Sequence, residues 1–142
     1  MTTYYVNELT GFTSLPVVKP SAAVGVGGRL RRYSGSITLN GQLTTDTIVV
    51  GQIPSGADFA YGVITSSVSL GTSTAAIGVT GTTGLYRAAA VFTAVDTPTT
   101  FGNTAAVKAV PLATEQTVFI TIGVAALPVG GTLVVDLYFA NV

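Results

Sequence analysis

The acid–base side chains in this 142-residue sequence are few: Glu8, Asp46, Asp58, Asp96, Glu115 and Asp136, set against six lysines and arginines. There is no His and no Cys. The commonest general base, the commonest metal ligand and the strongest nucleophile are therefore missing together. None of the six acids stands at i+2 or i+4 from another, so neither a calcium loop nor a carboxylate metal cluster is spelled out. Asp46 and Glu115 sit where turn-capping acids sit. Ser and Thr are abundant, but a nucleophilic hydroxyl needs a nearby base, and besides carboxylates only Lys19 and Lys108 could serve. Gly25-Val26-Gly27-Gly28 is glycine-rich, yet no Lys-Ser or Lys-Thr follows and no helical pattern begins, so it is not a phosphate loop. Enzymatic activity is not expected, and no cofactor or metal is implied.

The one charge cluster is Arg29, Arg31 and Arg32. In a strand, Arg29 and Arg31 share a face while Arg32 points the other way. Such a cluster either keeps a strand start solvated and unpaired or anchors on an acidic partner, since arginine suits interfacial ion pairs. Formal net charge is zero, which argues against nucleic acid as the partner: phosphate binders carry a clustered positive excess.

The elements that must position these residues read as strands. Charged residues make up 8% of the chain and hydrophobic ones 48%, dealt out in short β-branched runs. Candidate strands are Arg29–Tyr33, Ser36–Leu39, Thr47–Val50, Ala57–Val68, Ala75–Val79, Leu85–Thr93, Ala105–Val110, Thr117–Val124 and Thr132–Phe139. Between them lie Asn40-Gly41, Pro54-Ser55-Gly56, Gly71, Gly81-Thr82-Thr83-Gly84, Thr97-Pro98 and a turn at Pro128. Evenly spaced runs with Gly and Pro between them are the pattern of a sandwich or barrel. In Leu85–Phe92 the Ala88-Ala89-Ala90 run lets a short helix compete; the Val, Phe and Thr that follow favour strand. An internal echo supports a two-part sandwich. Thr45-Asp46-Thr47-Ile48-Val49-Val50 leads to Ile53-Pro54-Ser55-Gly56, and Glu115-Gln116-Thr117-Val118-Phe119-Ile120 leads to Leu127-Pro128-Val129-Gly130. Two such units fit a jelly roll, which is two Greek keys.

Ahead of Arg29, Pro16, Pro20 and the small residues Ser21–Gly28 have little reason to fold alone. Residues 1–28 are expected to be an extended N-terminal arm and residues 29–142 a single antiparallel β-sandwich, jelly-roll-like domain. Tyr4-Tyr5-Val6 could form a short strand on a neighbour, and Tyr4 and Tyr5 join the three arginines as candidate partner-binding residues. The N-terminus lacks a positive region followed by an apolar stretch, so no signal peptide is expected. The uncharged stretch Val118–Val135 is interrupted by Leu127-Pro128-Val129-Gly130-Gly131 and reads as two strands and a turn rather than a membrane helix. No membrane partner is expected.

A soluble β-rich monomer normally blunts its edges with Lys, Pro or bulges and covers its surface with mixed charge. This chain has two lysines. Much of its surface is therefore expected to be covered, by copies of itself or by a partner.

Three segments carry a family resemblance: Gly51-Gln52-Ile53-Pro54-Ser55-Gly56-Ala57; Ser69-Leu70-Gly71 followed by Ala75-Ala76-Ile77-Gly78; and Ala126-Leu127-Pro128-Val129-Gly130-Gly131-Thr132-Leu133. In turn spacing, residues Arg29 to Val142 resemble the small head-decoration (cement) proteins of tailed bacteriophages. That resemblance implies a jelly-roll-like domain on the capsid surface, present in the host cytoplasm before assembly. It implies contact with neighbouring major capsid protein subunits, self-association as a trimer and a terminal arm touching the shell. It carries over no catalytic residue. The alternatives are another virion subunit (head fibre, tail tube or capsid protein) and a carbohydrate-binding β-sandwich using Tyr33, Tyr61, Tyr86 and Tyr138.

Overall fold

A computed structural model describes residues 28–107 and 110–141. The described residues form eight strands and no helix: β1 (Arg29–Asn40), β2 (Thr47–Ile53), β3 (Asp58–Ser66), β4 (Thr74–Val79), β5 (Thr82–Val91), β6 (Thr99–Phe101), β7 (Gln116–Gly123) and β8 (Val129–Asn141). They form two four-stranded antiparallel sheets, ordered β1-β8-β3-β6 and β2-β7-β4-β5. Every connection but β4–β5 passes from one sheet to the other. This order is that of a jelly roll, two Greek keys folded over each other. The all-β sandwich expected from the sequence is what forms.

Alternation builds the core. In β7, Val118, Ile120 and Ile122 are buried while Thr117, Phe119 and Thr121 face outward. In β8, Leu133, Val135, Leu137 and Phe139 enter the core from the other sheet. A period-2 pattern of this kind fixes which face is inside, because a one-residue slip would expose the whole set. The stretch Val118–Val135 is thus the end of β7, a turn and the start of β8. Both Pro turns of the internal echo carry the chain from the second sheet to the first, β2 to β3 and β7 to β8. In the first, the Ala57 amide donates to Pro54 O at 3.3 Å and Gly56 takes φ +79°. In the second, Pro128 O accepts from the Gly41 amide at 3.2 Å, tying two loops together. Asp46 caps its turn as expected, its Oδ2 accepting from the Leu43 amide at 2.7 Å.

Four expectations are corrected. Arg29–Tyr33 and Ser36–Leu39 are one continuous strand. Gly35 does not break it but permits close approach of the other sheet: a Cβ there would stand 2.9 Å from Val50 O. In the expected strand Ala105–Val110, the described residues Ala105–Val107 and Val110 are not strand. Ala106 and Val107 both donate to Asn103 O in a tight turn, and Ala106 packs against the core. Apolar spacing alone does not separate such a plug from a strand. The strand that fills this place in the sheet is the three-residue β6, which sequence reading treated as loop because it follows Thr97-Pro98. At the β4–β5 hairpin, the turn is Thr80-Gly81 and the Thr82-Thr83-Gly84 that follows belongs to β5. Leu85–Val91 is strand, so the helical reading of the alanine run is out.

Candidate interaction surfaces

The arginine cluster opens β1. Arg31 pairs in register with the core residue Phe139 and Arg32 with Tyr138, so the two point to opposite faces as alternation requires. Arg32 lies on the outer face of the first sheet and donates to Asp136 Oδ2 at 2.8 Å. This bond, and the charge of Asp136 with it, raises the guanidinium pKa above its usual value. Arg29 and Arg31 share the inward row at the open end of the sandwich, both exposed, and neither meets a carboxylate among the described residues. The structure therefore splits the cluster: one arginine is used internally, two are not. Tyr4, Tyr5 and the whole expected arm 1–27 lie outside the described residues.

The outer face of the first sheet is built in rows by the ladder register. Arg32, Tyr138 and Tyr61 form one row, and Ser34, Asp136 and Val63 the next. Tyr61 and Tyr138 stack at 4.6 Å with rings 11° apart. Asp136 is the buried member of its ion pair, and its Oδ1 accepts no hydrogen bond from the described residues. On one side of these rows stand Ser36, Val134 and Thr65 in register, and on the other Leu30, Ala140 and the buried Asp58. The second sheet turns Thr47, Val49, Phe119 and Thr121 outward, with no charge among them.

The tyrosines divide by depth. Tyr86 is fully buried against Phe59, ring centroids 4.4 Å apart, and its hydroxyl donates to Gln116 Oε1. Burial first, and the charge of Asp58 second, push its pKa up to about 12. A phenol that resists ionisation in the folded state but not in the unfolded one makes stability fall as pH rises. The contribution is intact below pH about 10, the ordinary tyrosine value, and fades as pH climbs towards the folded-state value. Urea titrations between pH 9 and 12 should show this loss, and Tyr86→Phe should flatten it. A wild-type profile unchanged over that range would contradict the assignment. Arg87, half-buried, has its pKa lowered by desolvation. It donates to the carbonyls of Ala75, Ala90 and Val91, pinning the irregular β4–β5 ladder. Arg87→Lys cannot span three carbonyls as a planar fork does, and should cost about 1–2 kcal/mol in urea unfolding; an unchanged midpoint would refute the role.

One end of the sandwich gathers exposed aliphatics that sequence reading did not single out. Leu43 in the β1–β2 loop, Val95 in the β5–β6 loop and Val124 in the β7–β8 loop all face solvent, as does Val129 at the start of β8. No Lys or Arg of the described residues stands in these loops; Asp46 and Asp96 do. Val124 is 79% exposed at φ +67°, with the Ala125 amide bonded to Gly123 O at 2.8 Å. This is the rare left-handed γ-turn, disfavoured for a β-branched residue, and strain of this type gathers at functional sites. The signal was scattered over separate loops, so only the topology brings it together.

Three indentations mark the described surface. One, about 290 Å³, lies between strands β1 and β2 and is lined by Tyr33, Gly35, Ile37, Ile48, Val50, Ile120, Leu133 and Val135. A shallow one flanks β6 at Tyr61 and Phe101, and a third sits under residues 110–113 against Tyr86. The third brings the Tyr86 hydroxyl and the Asp58 carboxylate to one lining; the first two are lined by no carboxylate. No group of three or more acids among the described residues could hold a metal ion, and none of these residues forms a helix long and apolar enough to cross a membrane.

This architecture is found in solved phage capsids. A chain of the cyanophage Pam1 capsid asymmetric unit superposes with a TM-score of 0.64 at 17% identity, covering 81% of this chain and 86% of that one. A chain of the capsid of Ralstonia phage GP4 gives 0.65 at 16% identity with the same coverage. A chain from the acidic stable capsid structure of Helicobacter pylori bacteriophage KHP30 gives 0.58 at 12%, covering 78% and 86%. At such identities the likeness is one of fold. The matched chains are close to this one in length, since similar shares of both are covered. No protein-family model matches the sequence, and no curated protein matches it.

Proposed function

We propose that this chain is a structural protein of a bacteriophage virion that decorates the capsid and stabilises it by binding across neighbouring major capsid protein subunits. The observation that carries this reading is the likeness of nearly the whole described fold to chains of similar length in phage capsids.

The surface supports the same reading. Two outward sheet faces carry a single, internally neutralised ion pair, and one loop end presents exposed aliphatics over uncompensated aspartates. Binding across subunits needs more than one contact surface per copy. Arg29 and Arg31 at one end, with the arm and its Tyr4 and Tyr5, supply a polar contact; Leu43 and Val124 at the other supply an apolar one. The uncharged Val49–Phe119 face is where protomers of a homotrimer would meet. Each contact is weak alone, and repetition around a shell multiplies them. No catalytic step is required, and nothing in the described fold calls for a cofactor.

Binding of purified protein to heads lacking it, measured by cosedimentation at several salt concentrations, tests the proposal. Wild type should bind saturably. Arg29→Ala/Arg31→Ala should weaken binding at low salt by about tenfold and flatten the salt dependence. Leu43→Asp/Val124→Asp should weaken it at all salt concentrations. Light scattering should give three times the chain mass. A protein that stays monomeric when concentrated and ignores heads would end the proposal.

A further inference from the structure

Asn40 and Gly41 form the one Asn-Gly step in the sequence; the other asparagines are followed by Glu8, Thr104 and Val142. This pair carries chemistry of its own. Asparagine is among the chemically labile residues. The Gly41 nitrogen can attack the Asn40 side-chain carbonyl carbon and close a five-membered ring, and no Cβ on Gly41 obstructs the approach. β1 ends on Asn40, which is exposed.

The β1–β8 ladder is irregular at this point. Thr38 pairs with Thr132 but Asn40 with Val129, so Gly130 and Gly131 together stand opposite Leu39. The Gln42 carboxamide bridges the same two residues of β1. Its Oε1 accepts from the Asn40 amide at 3.0 Å and its Nε2 donates to Thr38 O at 3.0 Å. The Gly41 amide donates to Pro128 O at 3.2 Å, and the Leu127 amide donates to Gln42 O at 2.9 Å. Gly41 sits at φ +70°. These bonds fix the residues around the reacting pair, and one of them runs through the nucleophile itself. Ring closure requires the Gly41 nitrogen to give up the hydrogen it donates to Pro128 O. It also requires the chain to swing that nitrogen towards the Asn40 side chain. Both movements break the turn.

We propose that Asn40 is a deamidation site held shut by the fold, with Gln42 as its brace. Reaction proceeds only through the fraction of molecules in which this loop has opened locally. In that open form the Gly41 nitrogen bonds to Asn40 Cγ and loses its hydrogen, and the side-chain nitrogen leaves as ammonia with that hydrogen. Water then opens the succinimide. Cleavage of the new bond gives an aspartate; cleavage of the original peptide bond gives an isoaspartate whose main chain runs through the former side chain. One water is consumed, one ammonia is released and nothing is oxidised or reduced. The product carries one negative charge more than the starting chain, which is formally neutral. That charge appears beside exposed Val129, at the end of the sandwich that also holds Leu43 and Asp46. The inference is independent of the capsid reading.

The test compares the folded full-length chain, its Gln42→Ala variant and a free peptide of residues 36–46, aged side by side at mildly alkaline pH. Peptide mapping by mass spectrometry reads aspartate and isoaspartate at position 40. The folded wild type should convert at least about tenfold more slowly than the peptide. Gln42→Ala, shown to be folded by circular dichroism, should convert at least about fivefold faster than wild type, because two hydrogen bonds of the turn are gone. If that variant does not fold, Gln42→Glu takes its place: it keeps the acceptor for the Asn40 amide, loses the donor to Thr38 O, and should fall between wild type and peptide. Asn103, followed by the β-branched Thr104, should lag behind Asn40 in every sample. Wild type converting at the peptide's rate would overturn the protection by the fold. A folded Gln42 variant that converts no faster than wild type would overturn the brace, and Asn103 reacting ahead of Asn40 would overturn the site.

Discussion

Phe59→Ala should lower the unfolding free energy by about 3–5 kcal/mol, the range for removing a buried aromatic ring. Phe59 is 2% exposed on β3, where it meets Tyr86 of the other sheet at 4.4 Å and the Phe101 ring at 6.3 Å. It therefore ties together strands far apart in sequence and both layers of the sandwich. The neighbours cannot collapse into the space it leaves, because Tyr86 is held by its hydrogen bond to Gln116 and Phe101 lies against Gly62. Domains of this size have only about 5–15 kcal/mol in total. Urea unfolding followed by far-ultraviolet circular dichroism should show the midpoint falling with little change in slope. A loss below about 1 kcal/mol would mean that the two sheets do not pack through this residue.

Gly78→Ala should be the most costly single-methyl change in the molecule. A Cβ on Gly78 would stand 2.3 Å from Thr82 O and 2.5 Å from the Thr83 carbonyl carbon and oxygen. These are backbone atoms of the neighbouring strand, held by the β4–β5 hairpin, so no rotamer change relieves the clash. Overpacking of this kind costs about 1–3 kcal/mol, and the upper end is expected here because the hairpin must open. Gly71→Ala is the matched control. Gly71 has φ +64° but nothing within 4 Å of a Cβ, so only the conformational penalty of about 1–2 kcal/mol applies. Thermal unfolding of the pair should rank Gly78→Ala below Gly71→Ala. The reverse order would mean that β4 and β5 are not packed as closely as described.

Much of this architecture was legible locally. The alternation of Val118, Ile120 and Ile122, and of Leu133, Val135 and Leu137, identifies two strands and their buried faces. The Pro54–Gly56 turn follows the end of β2, and Pro128 stands directly before the start of β8. What local pattern cannot convey is which sheet a strand joins, because that depends on partners up to a hundred residues away. β6 was missed for this reason: Thr99-Thr100-Phe101 is too short to show a period, and only its pairing with Gly62–Ile64 makes it a strand. Ala105–Val107 was misread because an apolar turn that plugs a sandwich has the composition of a strand. Gly35 looked like a break and is instead a point of close approach.

The candidate surfaces show the same division. Alternation within β1 correctly separated Arg32 from Arg29 and Arg31. That Arg32 is neutralised by Asp136 could not be read, since the partner is 104 positions away. The aliphatic end was invisible for a related reason: Leu43, Val95 and Val124 are isolated residues in three loops, and antiparallel crossovers alone collect them. The low charge content, by contrast, was informative from the start. Among the described residues it becomes two outward sheet faces with few charges.

The central claim, that this protein covers a phage shell, is tested most directly by quantifying the chain on purified mature particles. Decoration across shell subunits predicts the chain on every particle at a fixed ratio to the major capsid protein. It also predicts that stripping the chain lowers the temperature at which heads open and that adding it back restores that temperature. Particles that lack the chain, or carry it in a variable ratio with no effect on head stability, would contradict the account.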